Sequence, residues 1–147
     1  MGELASHNYR TFRECQRFIL EAARQKALAA CHDISDGGLL TALVELCGSG
    51  ASIDIGKVLP EGYDNEVHNQ LGALFGEEGH RWLIAVDQQH RGWVRTAALH
   101  YSVQMVPLGE SIEGELIVKC NDELVFGCNW EPLAKLRRLG LAAALES

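Results

Sequence analysis

From Tyr9 to Leu28, the residues Phe12, Cys15, Ile19, Ala22 and Ala23 recur at three- and four-residue steps between Arg13, Glu14, Arg17, Arg24 and Lys26. That spacing predicts an amphipathic helix with one stripe facing a core. Ala27 to Asp33 is small and apolar until polarity arrives at His32, Asp33, Ser35 and Asp36, which predicts a short buried strand opening into a polar loop. After Gly37-Gly38, the residues Leu39, Leu40, Leu43, Val44, Leu46 and Cys47 repeat at helical spacing until Gly48-Ser49-Gly50, giving a second helix with a glycine exit. Ala51 to Ile55 alternates as a half-buried strand does, and Gly56 to Asn65, with Pro60, Gly62 and Asp64, has the composition of a surface loop.

Further along, Val67, Leu71, Leu74 and Phe75 mark a short helix ahead of Gly76-Glu77-Glu78-Gly79, and Trp82 to Val86 reads as a central strand. Gly92 to Tyr101 is helical in pattern, and Val103 to Val106 resembles another strand. Glu115 to Cys120 and Glu123 to Phe126 are β-prone runs joined by Asn121-Asp122, a two-residue hairpin connection. Trp130 to Leu145 closes the chain as a helix, with Pro132 tolerated in its first turn and Lys135, Arg137 and Arg138 on its wet face. Helices alternating with strands, and a hairpin near the end, predict an α+β layered fold with a mixed sheet. No interior linker or repeat divides the 147 residues, so one domain spanning 1–147, with 1–8 as a tail, is expected.

Composition narrows the function classes. Thirteen basic against twenty acidic residues give a net charge of −7, which argues against a nucleic-acid backbone as partner. No apolar run approaches the roughly 20 residues of a membrane span, and Met1 to Arg10 lacks a signal-peptide h-region, so no membrane association and a cytoplasmic location are expected. Five cysteines (Cys15, Cys31, Cys47, Cys120, Cys128) without a Cys-x-x-Cys pair favour mostly buried thiols over a disulfide framework or a zinc site. Trp82, Trp93 and Trp130 read as core or interface anchors.

Candidate chemistry concentrates in Cys31-His32-Asp33-Ile34-Ser35-Asp36-Gly37-Gly38-Leu39. A carboxylate at the end of a strand, a hydroxyl two residues later and two glycines entering a helix place a hard oxygen ligand near backbone amides, a pairing that suits a magnesium–phosphate complex. Asp33 would ligate the metal, Ser35 would donate to a phosphate oxygen, and Gly37 and Gly38 would let the main chain approach a ligand. The same residues also make a simple capped turn, with Ser35 or Asp36 as cap. Local chemistry leaves the two open.

Ala30 to Leu39 resembles the signature of the carboxy-terminal half of the synthetase module in the phosphoribosylformylglycinamidine synthases, the formylglycinamide ribonucleotide amidotransferases of purine biosynthesis. Leu71-Gly72-Ala73-Leu74-Phe75-Gly76-Glu77-Glu78 is similar to the helix end and acidic pair of that family, and Gly114 to Val118, Asn121 to Phe126, Trp130 and Leu136 follow in the family's order. Gly76 and the bulky His80-Arg81-Trp82 depart from its usual residues. The resemblance implies a layered α/β/α fold like the carboxy-terminal domain of aminoimidazole ribonucleotide synthetase. It implies ATP-dependent carbon–nitrogen ligation, in which the formamide oxygen is phosphorylated and ammonia displaces the phosphate. By the same resemblance Asp33 binds Mg²⁺, Ser35, Gly37 and Gly38 belong to the ATP site, and Glu77 lies along the ribonucleotide pocket. Catalysis then requires partners: an amino-terminal ATP-binding synthetase domain and a glutaminase domain or subunit. The chain alone is expected to be inactive. The competing readings are a catalytically inactive interaction module derived from such a synthetase, and a domain of another synthetase or kinase of the same superfamily.

Overall fold

The amphipathic stripe near the amino terminus becomes helix α1 (Tyr9–Arg24), whose Cys15, Phe18 and Ala22 are buried. The computed structural model describes residues 9–59, 66–77 and 80–145, with side chains described as far as residue 137. The expected tail (1–8), the expected loop positions Pro60, Gly62 and Asp64, the second acid Glu78 and the side chain of Arg138 lie outside the described residues. Helix α1 stops four residues before the periodicity does. Lys26 turns to φ 55°, and the amides of Lys26 and Ala27 donate to the carbonyls of Ala23 and Ala22, which is the double hydrogen bond of a Schellman ending. Ala27 is then free to drop into the core beside Phe18.

Strand β1 (Ala30–Asp33) follows, then α2 (Gly38–Leu46), β2 (Ala51–Asp54) with a 3-10 turn over Ile55–Val58, and α3 (Val67–Phe75). Strand β3 (Trp82–Ala85) and α4 (Arg91–His100) precede β4 (Gly109–Ser111), β5 (Glu115–Cys120), β6 (Glu123–Asn129) and α5 (Trp130–Leu145). The chain divides into two compact units, one holding residues 1–34 and 78–105 and the other residues 35–77 and 106–147.

In the first unit β1 and β3 form an antiparallel pair in which Asp33 faces Trp82 and Ala30 faces Ala85. The core beside them is Phe18, Ala27, Val94 and Ala98, with Ile84, Val86, Tyr101 and Val103 packed on it. Phe12 of α1 stacks on Trp82 with ring centroids 5.6 Å apart. Three expectations change here. Strand β1 is not buried: Cys31 and Asp33 are exposed, because a two-stranded sheet with helices on one side leaves alternate side chains in water. Strand β3 is not central, since β1 is its one partner among the described residues. Val103 to Val106 forms no strand; the Val103 amide closes α4 on the Ala98 carbonyl and its side chain joins the helix core.

The second unit carries the mixed sheet, in the order β4-β2-β5-β6, with β2 and β5 parallel and the other pairs antiparallel. Alternate residues Ala51, Ile53, Leu116, Val118 and Cys120 are buried, together with Leu39, Ala42 and Leu43 of α2 and Trp130 at the start of α5. That alternation is the period-two burial of a sheet with one covered face. The Trp130 indole N–H donates to the Gly48 carbonyl at 3.2 Å, as a buried tryptophan requires. The hairpin forms as its sequence predicts. Asn121 and Asp122 take φ 53° and 66°, the pair of left-handed residues that a type I′ turn needs. Of the cysteines, Cys15 and Cys120 are buried and Cys47 is half-buried, but Cys31 and Cys128 are exposed, on an outer face and on an edge strand.

One carboxylate ties this hairpin to β2. Asp54 accepts the amides of Gly56 (2.8 Å) and Asn121 (3.0 Å) on Oδ1 and that of Asp122 (2.9 Å) on Oδ2. Burial pushes the Asp54 carboxyl up, but the three amides and Lys57 outweigh it and hold the group below the usual aspartate value. A depressed carboxyl contributes stability that is complete above the unfolded value and is lost as pH falls through the folded one. Asp54→Asn is therefore expected to cost about 1–2 kcal/mol at neutral pH, the range for charge-assisted bonds at a half-exposed site. Urea unfolding checks this, and the gap between variant and wild type must narrow below the aspartate range.

Candidate functional site

Asp33 ends β1 with its side chain 66% exposed. The neighbouring His32 Nδ1–H donates to the Asp33 main-chain carbonyl at 2.6 Å and lies 3.7 Å from the carboxylate. Exposure leaves the Asp33 carboxylate open to an external ligand. The thiol of Cys31, two residues earlier on the same face of the strand, is pushed above its ordinary value by crowding from protein atoms and by the Asp33 charge. Among the described residues no group of three or more His, Cys, Asp or Glu side chains is placed to hold a metal ion. One exposed carboxylate fits Mg²⁺ as a single protein ligand, since that ion takes one or two carboxylates and completes its shell with phosphates and water.

In the second unit the chain turns sharply at Ser35–Gly38. The Gly38 amide donates to the Ser35 carbonyl at 2.9 Å, and Gly37 takes φ 79° and ψ 4°, the third-position geometry of a type II turn that favours glycine. Helix α2 then starts from Gly37, with no side-chain cap. Ser35 and Asp36 are exposed, so the capped-turn reading, in which one of them closes the helix, is not what forms.

The amide of Gly37 is met from elsewhere. Glu77, just beyond α3, accepts it at 3.0 Å from 40 residues away, placing a carboxylate at the positive end of α2. Thr41 Oγ1 donates back to the Gly37 carbonyl at 3.0 Å. Gly38, at φ 70°, is buried against the end of α3: a Cβ there would lie 2.6 Å from the Phe75 carbonyl carbon and 2.7 Å from the Leu74 oxygen. The two glycine amides are therefore engaged within the chain, not free as the sequence suggested, and the room left by the absent Cβ of Gly38 is filled by α3.

The structure thus joins Ser35, Gly37, Gly38 and Glu77 in one turn-and-helix unit. Sequence reading missed the Glu77 contact, which no local spacing encodes. It also passed over Thr41, whose position four residues after Gly37 was the available signal.

The profile of the family described as AIR synthase related protein, C-terminal domain, matches residues 7–121. The phosphoribosylformylglycinamidine synthase subunit PurL of Rhodospirillum rubrum is 38% identical over 92 residues, which is 63% of this chain and 12% of that protein. The PurL subunit of Brucella ovis is 38% identical over 71 residues, 46% of this chain and 8% of that protein. The chain thus spans a small fraction of the length of these relatives. Among solved structures, the PurLQS structure from Thermotoga maritima is similar with a TM-score of 0.75 and 20% identity, over 90% of this chain and 23% of that one. The T. maritima PurL complexed with ATP gives 0.70 and 22%, over 83% and 21%. At such identities the likeness shows the fold, the mixed α/β arrangement that the sequence predicted.

Gly38→Ala is expected to destabilise the chain by about 3 kcal/mol, adding roughly 1–2 kcal/mol for a left-handed β-carbon to the cost of overpacking. Gly72→Ala, a helix position with nothing within 4 Å, is expected to stabilise by about 0.5–1 kcal/mol. Thermal or urea unfolding of the two variants beside wild type checks the contrast.

Proposed function

Because the chain belongs to the AIR synthase-related proteins as their C-terminal domain, we propose that it is the carboxy-terminal domain of an ATP-dependent formylglycinamidine ribonucleotide synthase of purine biosynthesis. It supplies part of a composite Mg·ATP site and is inactive alone. The observation that carries this reading is the turn without a local cap. Ser35 and Asp36 do not close α2, so the hydroxyl remains exposed for a ligand, and Asp33 presents an exposed carboxylate two residues before it. The PurL relatives, and a similar PurL structure complexed with ATP, support the choice of nucleotide.

In this proposal Asp33 is a metal ligand, Ser35 donates to a phosphate oxygen, and Gly37 and Gly38 shape the turn that presents Ser35. Bound Mg²⁺ would neutralise charge on the transferring phosphoryl group, the main requirement of phosphoryl transfer. The protein's own part is positional: a hard oxygen on a strand end and a hydroxyl on a turn whose backbone is fixed by hydrogen bonds. An amino-terminal synthetase domain provides the remaining nucleotide contacts, and a glutaminase provides ammonia, in line with the similarity to the PurLQS structure. Among the described residues no helix is long and apolar enough to cross a membrane, which suits a cytoplasmic location.

Calorimetric titration of Mg·ATP into the chain is expected to show binding that Asp33→Ala weakens by about tenfold, the factor that roughly 1.4 kcal/mol represents. Asp36→Ala should leave it within about twofold, as a surface change does. Equal responses from wild type and Asp33→Ala would remove the metal-ligand role. Formylglycinamidine formation by the chain without any partner would overturn the composite site.

A further inference from the structure

Glu77 is expected from the resemblance to line the ribonucleotide pocket, yet its carboxylate accepts the amide of Gly37 at 3.0 Å. We propose that Glu77 is instead a positioning residue for the nucleotide turn, acting through Gly37 and not by contact with the ribonucleotide; the inference rests on the Mg·ATP reading of that turn.

Three observations combine. Helix α2 has no side-chain cap of its own, so the acceptor its first amide needs is imported from the end of α3. The same end of α3 is seated on Gly38, with the Phe75 and Leu74 backbone where a Cβ would stand, so Glu77 reaches Gly37 from a fixed base. Gly37 in turn holds Thr41 through its carbonyl, and Gly38 holds the Ser35 carbonyl. The two glycines that follow Ser35 in the turn are thus secured by Glu77 and by the end of α3, and one of them holds the Ser35 carbonyl. A carboxylate is well suited to this role. It is acceptor-only, it favours the positive end of a helix, and it needs no hydroxyl or amide of its own to orient.

The role separates from substrate contact by the chemistry of one atom. A glutamine keeps the accepting oxygen and loses the charge; an alanine loses both. Amide hydrogen exchange on the isolated chain reads the turn directly. Glu77→Ala is expected to lower protection at Gly37 and Gly38 by about tenfold or more and leave the Gly76 amide, bonded to Gly72, unchanged. Glu77→Gln should retain protection within about threefold. Mg·ATP titration is expected to follow the same order, weakened by alanine and restored by glutamine, while the affinity for formylglycinamide ribonucleotide is equal in all three proteins. Unchanged protection in Glu77→Ala, or a loss confined to ribonucleotide affinity, overturns the proposal. Altered protection in a chain whose wild type does not bind Mg·ATP upholds the contact with Gly37, overturns its nucleotide role and overturns the reading on which that role rests.

Discussion

The second unit is organised around a close approach of backbones, the end of α3 lying where a β-carbon at residue 38 would be. No side chain can be tolerated there without shifting main chain, because the obstructing atoms belong to a helix end and not to a flexible tip. With α3 so close, Glu77 arrives within hydrogen-bonding distance of Gly37, and the first turn of α2 has its acceptor without a local cap. Ser35, two residues before Gly37, is exposed and takes no part in that capping. Architecture and proposed chemistry share this single constraint.

Elsewhere in that unit a second carboxylate works by the same rule. Asp54 collects three amides, two from a hairpin turn 67 and 68 residues away, and so binds the β5–β6 ribbon to the end of β2. Its charge is favoured by the donors it meets, and the hairpin's left-handed residues find their amides satisfied. The two acids differ in what they leave exposed. Asp54 serves the hairpin turn and the 3-10 turn alone, whereas Glu77 serves a turn that carries a free hydroxyl and follows an exposed carboxylate.

Periodicity made α1 and α2 legible because each buries one face at helical spacing, Cys15, Phe18 and Ala22 in one and Leu39, Ala42 and Leu43 in the other, whereas of the apolar positions that marked α3 only Leu74 is buried and Val67, Leu71 and Phe75 are exposed. The hairpin was legible because Asn121-Asp122 can adopt positive φ. The strand pattern of Val103 to Val106 misled because valine's strand preference yields to tertiary context: the Val103 side chain entered the helix core and the end of α4 took its amide. Burial of β1 was overestimated because apolar composition does not reveal how many strands flank a given one. In the site, Asp33 and Ser35 stood out by type and spacing, and both are exposed. The reach of Glu77 to Gly37 was hidden, since a contact across 40 residues depends on tertiary packing that no window of sequence contains.

Mn²⁺·ATP added to the isotopically labelled chain tests most directly whether the carboxylate and the glycine turn receive a metal nucleotide. The paramagnetic ion broadens the amide resonances nearest to it. Residues Asp33 to Gly38 should fade first, and Asp33→Asn should need about tenfold more Mn²⁺·ATP for the same broadening while the spectrum stays folded. Broadening centred on the acidic hairpin at Asp122 and Glu123, with Asp33 to Gly38 untouched, would contradict it.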